Sequence, residues 1–491
     1  MARIVGGIGA SHSPTIGFAK DTGKQNDPAW KPIFDGFDAI RAWVHTKKID
    51  VIFMIYNDHI TSFFLDHYSA FVLGIDDRYV AADEGGGPRE VAPAIGHLGL
   101  SQHIGMSLVA DEFDMSFFQG KPVDHGFLSP LSMLGDERGP WPGQVVPLQV
   151  GVLQLPVPSA KRMWKLGQAL RRAIESYPED LNVAIMATGG LSHQVHGERA
   201  GFLNEAWDKE FLELLEKAPE QLVNMRIAEY AAKGGMEGAE VIMWLIMRGA
   251  LSDRVQLVHK QTYAPSMTNI ATLVFEDLGG EPDAAALAAH RQHIGHELEG
   301  AGSLQGTYPF THARSHANLR INRFLHGLTR PEHRARFVSD FEALASEHGL
   351  SEEEKDLIRG RQWIEMIRRG VIFFVIEKMA AVLGVPNPAV YAAFRGETLE
   401  QFADSKLKES FGLRDIPITD VIVEGRVAPV DEMATRDCMM YKQTVDALVK
   451  NARSEHRIIR EGDSADRADV LAEMKGLIKD KFEIRKQNVT P

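Results

Sequence analysis

The stretch VIFMIYNDHITSFF, residues 51–64, runs six apolar or aromatic residues directly into Asn57, Asp58 and His59, then returns to Phe63 and Phe64. A short unbroken apolar run of this kind is the pattern of a strand buried on both faces of a sheet. Its exit puts a histidine just past the carboxyl end of that strand, where open α/β sheets gather functional side chains. Asn57 and Asp58 suit the turn itself, because both side chains hydrogen-bond to nearby backbone.

The same reading extends outward. Runs at 4–8, 145–153 and 183–187 also read as buried strands. Between them, Ile33, Phe37, Ile40 and Val44 recur at helical spacing, and Ser159 heads a helix whose Met163, Leu166, Leu170 and Ile174 share one face. Alternation of this kind predicts, over 1–280, an α/β catalytic domain with a central sheet flanked by helices. Residues 281–306, rich in Gly, Ala and charge, read as a partly helical linker. From 307 to 410 the pattern is purely helical, with a capping box at Ser351 and Glu354, and predicts a small all-α domain. Residues 411–491 have few aromatics and read as a C-terminal extension, helical or partly mobile.

The 491 residues exceed one ordinary core. A formal net charge of −13 argues against nucleic acid and anionic membrane surfaces as main partners. The single cysteine, Cys438, excludes an intrachain disulfide and a Cys-based zinc or iron–sulfur site. No signal-peptide pattern opens the sequence and no apolar stretch approaches a membrane span, so the expected location is the cytoplasm. A bound metal would have to be held by carboxylates and by some of the 19 histidines.

Three strand exits carry histidines: GASHSPT has His12, YNDH has His59, and GGLSHQVHGER has His193 and His196. Singly each reads as a loop residue; together, at equivalent positions, they form a constellation. In GGMEGAEVIMWLIMRGAL, Glu237 suits a helix start, whereas Glu240 has apolar neighbours and is costly to bury unless paired or metal-bound. Two histidines and one carboxylate match the facial triad that holds iron(II), and the same ligand types suit zinc. PVDHGFLSPL adds His125 in a turn.

In this order, SHSPT, YNDH, DHGFLSPL, GGLSHQVHGERAG and EGAEVIMWLIMRGAL resemble the large catalytic chain of the class III extradiol ring-cleaving dioxygenases, the protocatechuate 4,5-dioxygenase family. YPFTHARSHANLRINRFLHGL and EMIRRGVIFFVIEKMAAVLGVPNPAVYAAFRG resemble that family's small helical chain, here fused behind the large one. The resemblance covers about residues 1–405. It implies Fe(II) on His12, His59 and Glu240, His193 as acid–base catalyst, and His125 as a second histidine contacting a substrate hydroxyl. It places the substrate carboxylate near Ser13 and Thr268. It also implies a homodimer in which Glu377 and Tyr391 of the helical domain reach the partner's pocket. The implied reactants are a small aromatic diol or triol acid and O2. The fused order is similar to members that cleave gallate, with protocatechuate and 3-O-methylgallate as alternatives. A zinc hydrolase and a non-catalytic binding protein are the other readings of this fold.

Overall fold

The computed structural model describes residues 1–135, 141, 143–402 and 405, so the expected extension at 411–491 lies outside the described residues. The chain divides into two compact units, Met1–Thr307 and the part from Tyr308 onward.

The strands of the first unit are β1 (Arg3–Ala10), β2 (Val51–Tyr56), β3 (Phe71–Gly74), β4 (Arg78–Tyr79), β5 (Ala94–Ile95), β6 (Ser116–Phe118), β7 (Gln144–Val150), β8 (Asn182–Ala187), β9 (Val255–Tyr263) and β10 (Ile270–Asp277). Eight of them form one mixed sheet in the order β6-β3-β7-β2-β8-β1-β10-β9, while β4 and β5 pair separately. The central four, β7, β2, β8 and β1, are parallel, so their carboxyl ends share one edge. That edge is where the sequence places its histidines.

Among the described residues the α-helices of this unit are α1 (Pro14–Asp21), α2 (Lys31–Thr46), α3 (Leu98–Ala110), α4 (His125–Ser132), α5 (Ala160–Glu175), α6 (Glu205–Lys217), α7 (Pro219–Val223), α8 (Ile227–Gly234), α9 (Trp244–Ala250) and α10 (Ala284–His296). The two-residue period of β2 divides the core. Val51, Phe53 and Ile55 join a cluster with Met163, Leu166 and Leu170 of α5 and Ile246 of α9. Ile52, Met54 and Tyr56 join another with Phe37 and Ile40 of α2 and Phe127 of α4. Each large apolar side chain buried this way contributes about 1.5–3 kcal/mol, which explains why a strand with no polar face is tolerated.

Two regions depart from the sequence reading. The hairpin β9–β10 follows α9 and closes one end of the sheet. Within 281–306, read as a linker, α10 buries Leu287 and Ile294, and the His290 ring hydrogen-bonds to Ser107 of α3 at 2.9 Å.

The second unit is helical in its described residues: α11 (His312–Ala317), α12 (Leu319–His326), α13 (Pro331–Ser339), α14 (Phe341–Glu347), α15 (Glu352–Arg359), α16 (Trp363–Arg369), α17 (Phe373–Val382) and α18 (Asn387–Phe394). Phe324, Leu325, Met366, Ile376 and Met379 form its core. Ser351 and Glu354 make the predicted capping box on α15. Among the described residues, no helix is long and apolar enough to cross a membrane.

Candidate active site

The shared strand edge gathers the candidates of the first unit. His12 follows β1 by two residues and is 4 % exposed. Its Nδ1 lies 3.1 Å from the hydroxyl of Thr188, which follows β8. His59 follows β2; its Nδ1 and its backbone N–H both donate to one oxygen of Asp124, at 2.8 and 2.7 Å. His125 opens α4 and stacks on His59 at 4.0 Å between ring centroids, with the His12 ring edge-on to both. The ligand atoms of His12, His59 and His125 all lie within 4.8 Å of one another, a spacing that could hold a metal ion.

Glu240 reaches this cluster from a tight 3-10 turn, Glu237–Met243, where the sequence suggested the start of an α-helix. It is 4 % exposed, accepts from the Gly190 N–H, and stands 3.7 Å from His12 Nε2 and 4.0 Å from His193 Nε2. The pair Gly189–Gly190 makes this approach possible. Gly189 has φ +115°, and a Cβ there would lie 3.2 Å from the Glu240 side chain.

His193 is held by its backbone and by its ring. Its N–H donates to Gly234 O at 2.8 Å, and its Nδ1 lies 2.8 Å from Leu191 O. A carbonyl can only accept, so Nδ1 carries the proton and Nε2 is the basic atom. The same logic applies to His59 against Asp124. It applies again to His125, whose Nδ1 and backbone N–H both donate to Glu84.

Burial, with the neighbouring His59, His125 and His193 rings, holds His12 well below the usual histidine range and keeps it neutral. For His59, burial alone would act the same way, but the Asp124 carboxylate outweighs it and raises the imidazole. Asp124 is correspondingly lowered: burial opposes ionisation, and His59 and His125 overcome it.

The remaining candidates separate by position. Thr268 lies beside His193, since a Cβ on Gly190 would meet the Thr268 methyl at 2.7 Å and the His193 ring at 2.9 Å. Ser13 adjoins His12 but caps α1, accepting from Thr15 N–H and bonding the Thr15 hydroxyl at 2.6 Å. Glu237 turns to His196 and the Val195 N–H, which leaves it fixing the loop after His193. Asp58 accepts from the backbone of Thr61, Ser62 and Phe63 and shapes the turn; Asn57 Nδ2 lies 3.5 Å from His59 Nε2. Phe63 is core, packed on Phe118, whereas Phe64 is exposed. Glu377 and Tyr391 belong to the helical unit, where Asn387 donates to Glu377 and the Tyr391 ring packs on Phe373.

The sequence alone does not mark Asp124, Glu84 or Thr188 as part of the site. Only Asp124 carried a local signal, as an N-cap acid directly before His125 in DHG.

Residues 6–275, more than half of the chain, match the family of the catalytic LigB subunit of aromatic ring-opening dioxygenase. Residues 321–407 match the LigA subunit of aromatic-ring-opening dioxygenase LigAB. The chain is 60 % identical over 325 residues to a gallate dioxygenase of Pseudomonas putida, covering 66 % of this chain and 96 % of that protein. It is 31 % identical over 194 residues to a 2,3-dihydroxyphenylpropionate/2,3-dihydroxicinnamic acid 1,2-dioxygenase 2 of Dechloromonas aromatica, covering 37 % of this chain and 54 % of that protein. With its histidine cluster built on the LigB-matching unit and a LigA-matching helical unit behind it, the chain belongs to the class III extradiol family of aromatic ring-cleaving dioxygenases, both parts fused in one polypeptide.

Proposed function

We propose that this dioxygenase opens gallate by 4,5-cleavage with O2, giving 4-oxalomesaconate, and uses iron(II) held by His12, His59 and Glu240. The observation that carries the reading is His193. Its basic Nε2 points toward Glu240 at 4.0 Å, beside the histidine cluster and beside Thr268.

The donor set fits a divalent cation. Glu240 is a buried carboxylate that accepts from an amide N–H and faces the Nε2 atoms of neutral His12 and of His193, a setting in which a cation would balance its charge. His59 has its Nδ1–H anchored on a carboxylate, an arrangement that orients a ligating imidazole. Bound there, iron(II) would lower the pKa of ring hydroxyls and bring ring electrons and oxygen together, which no side chain does alone. His193 Nε2 takes a proton from a ring hydroxyl and returns it as the ring opens, the role of a positioned general acid–base. His125, anchored on Glu84, presents Nε2 to a second hydroxyl. Thr268 and Ser13 meet the substrate carboxylate. A homodimer, with Glu377 and Tyr391 contacting the partner's substrate, completes the proposal, and the 60 % identity to a gallate dioxygenase supports gallate as the substrate.

Two experiments test it. Oxygen uptake on iron-loaded protein with gallate, protocatechuate and 3-O-methylgallate side by side should rank gallate first; a preference for either analogue moves the substrate assignment. Glu240→Ala should lose iron while His125→Ala retains it, and the reverse result would make His125 the third ligand.

A further inference from the structure

We propose that Asp208 is a positioning residue that clamps the His193 loop to the Thr268 loop, setting proton transfer and substrate-carboxylate binding in one register. The proposal rests on the roles given above to His193 and Thr268.

Asp208 lies in the first turn of α6, between buried Trp207 and buried Phe211 and Leu212, and is 1 % exposed. Its side chain does not cap the helix. That is done by Asn204, which accepts from Trp207 N–H. Asp208 instead spans two loops. One oxygen accepts from the Ser192 N–H at 2.8 Å; the other accepts from the Ser192 hydroxyl at 2.6 Å and from Asn269 Nδ2 at 2.8 Å. Ser192 directly precedes His193, and Asn269 directly follows Thr268.

The carboxylate is costly where it sits. Burial pushes its pKa up, and the Ser192 and Asn269 bonds only partly pull it back. The loops it joins are otherwise tied by two backbone bonds, Leu191 N–H to Asn269 O at 3.1 Å and Asn269 N–H to Ser192 O at 3.4 Å. The Ser192 hydroxyl also accepts from Asn204 N–H at 2.8 Å, so its own proton goes to Asp208 and the polarity of the network is fixed. A misplacement of about 1 Å at a reacting group can cost about 10²-fold in rate. Asp208 touches no substrate, yet it sets the position of two groups assigned to do so.

The polarity gives a specific test. In Asp208→Asn an amide NH2 replaces the oxygen that accepts from both the Ser192 hydroxyl and Asn269 Nδ2, so the hydroxyl loses its acceptor and Asn269 must turn its amide over to avoid donor against donor. Adding Asn269→Asp restores an acceptor there. With gallate and iron-loaded protein, Asp208→Asn should lower kcat about 10²-fold and raise KM, with iron content at the wild-type level. The double variant should recover to within about tenfold of wild type. Amide exchange at Leu191 and Asn269 should quicken in the single variant and slow again in the double, a readout independent of turnover. An Asp208→Asn enzyme at wild-type kcat and KM, or a double variant no better than the single, overturns the clamp. If Asp208→Asn does not fold, Asn269→Ala carries the test: a raised KM supports the clamp and unchanged kinetics overturn it. Failure of the wild type itself to consume gallate would sink the proposed activity instead, leaving the exchange measurement to decide the clamp.

Discussion

His12 and His333 are each 4 % exposed, and burial holds both imidazoles below their usual range. They are put to opposite uses. His12 lies at the carboxyl edge of a parallel sheet, with Thr188 on Nδ1, Glu240 near Nε2 and two more imidazoles within ring contact. His333, in the helical unit, packs against Phe324 and His348, and its Nε2 has no hydrogen-bond partner among the described residues. Burial therefore does not identify a site. What distinguishes His12 is convergence: separate strands deliver polar groups to one place, where their mutual costs make sense only with a ligand or proton to share.

The largest expected difference is direct. His12→Phe should lose bound iron and turnover together, whereas His333→Gln should keep both, as metal analysis and oxygen uptake would show. Iron retained in the first variant would break the comparison. Next comes chemistry without binding. His193→Phe should keep iron and slow turnover by about 10²–10⁴-fold, the range for loss of a general acid–base; unchanged turnover would remove His193 from the reaction. A smaller effect is expected from the anchor of His59. Asp124→Asn weakens both bonds to that residue and should reduce metal affinity by about 10–100-fold, measured by competition with a chelator.

The smallest effect concerns pH. The folded pKa of His333 lies below its unfolded value of about 6.5. As pH falls through that value the unfolded chain binds more protons than the folded one, so the stability contributed by the neutral ring is lost toward acid. The groups around it, His348, Arg330 and Arg336, disfavour its protonation further. Amide protection factors in α13 and α14, taken relative to the intrinsic exchange rate at each pH, should thus fall between pH 7 and 5 in the wild type and less so in His333→Gln. An equal fall in both would mean that another group controls the acid response there.

Legibility in the sequence followed the range of the interactions. β2 was readable because six consecutive apolar residues leave few alternatives, and the polar exits after β1, β2 and β8 placed His12, His59 and His193 at one edge. The helices of the second unit were readable from periodicity and from the local Ser351–Glu354 box. β9 was not, because its residues are only half-buried and carry His259, Lys260 and Gln261 along an edge. The anchors of the histidines were equally hidden: Asp124 lies 65 residues from His59, Glu84 41 residues from His125, and Thr188 176 residues from His12. Only the fold makes them neighbours. Glu237 and Glu240 show the same limit at short range. Three residues apart, they differ in sequence only in that Glu240 has apolar neighbours; it takes the 3-10 turn to send one to an exposed His196 and the other to the buried cluster.

We propose that the buried histidine–glutamate cluster uses iron and oxygen to open gallate. The most direct measurement is oxygen consumption against gallate loss in the same protein loaded with iron(II) or with zinc under anaerobic conditions and then given air. Equimolar consumption of oxygen and gallate, with disappearance of the aromatic absorbance, is expected with iron, and none with zinc. Gallate left intact by the iron-loaded protein, or consumed equally well with zinc and without oxygen uptake, would contradict it.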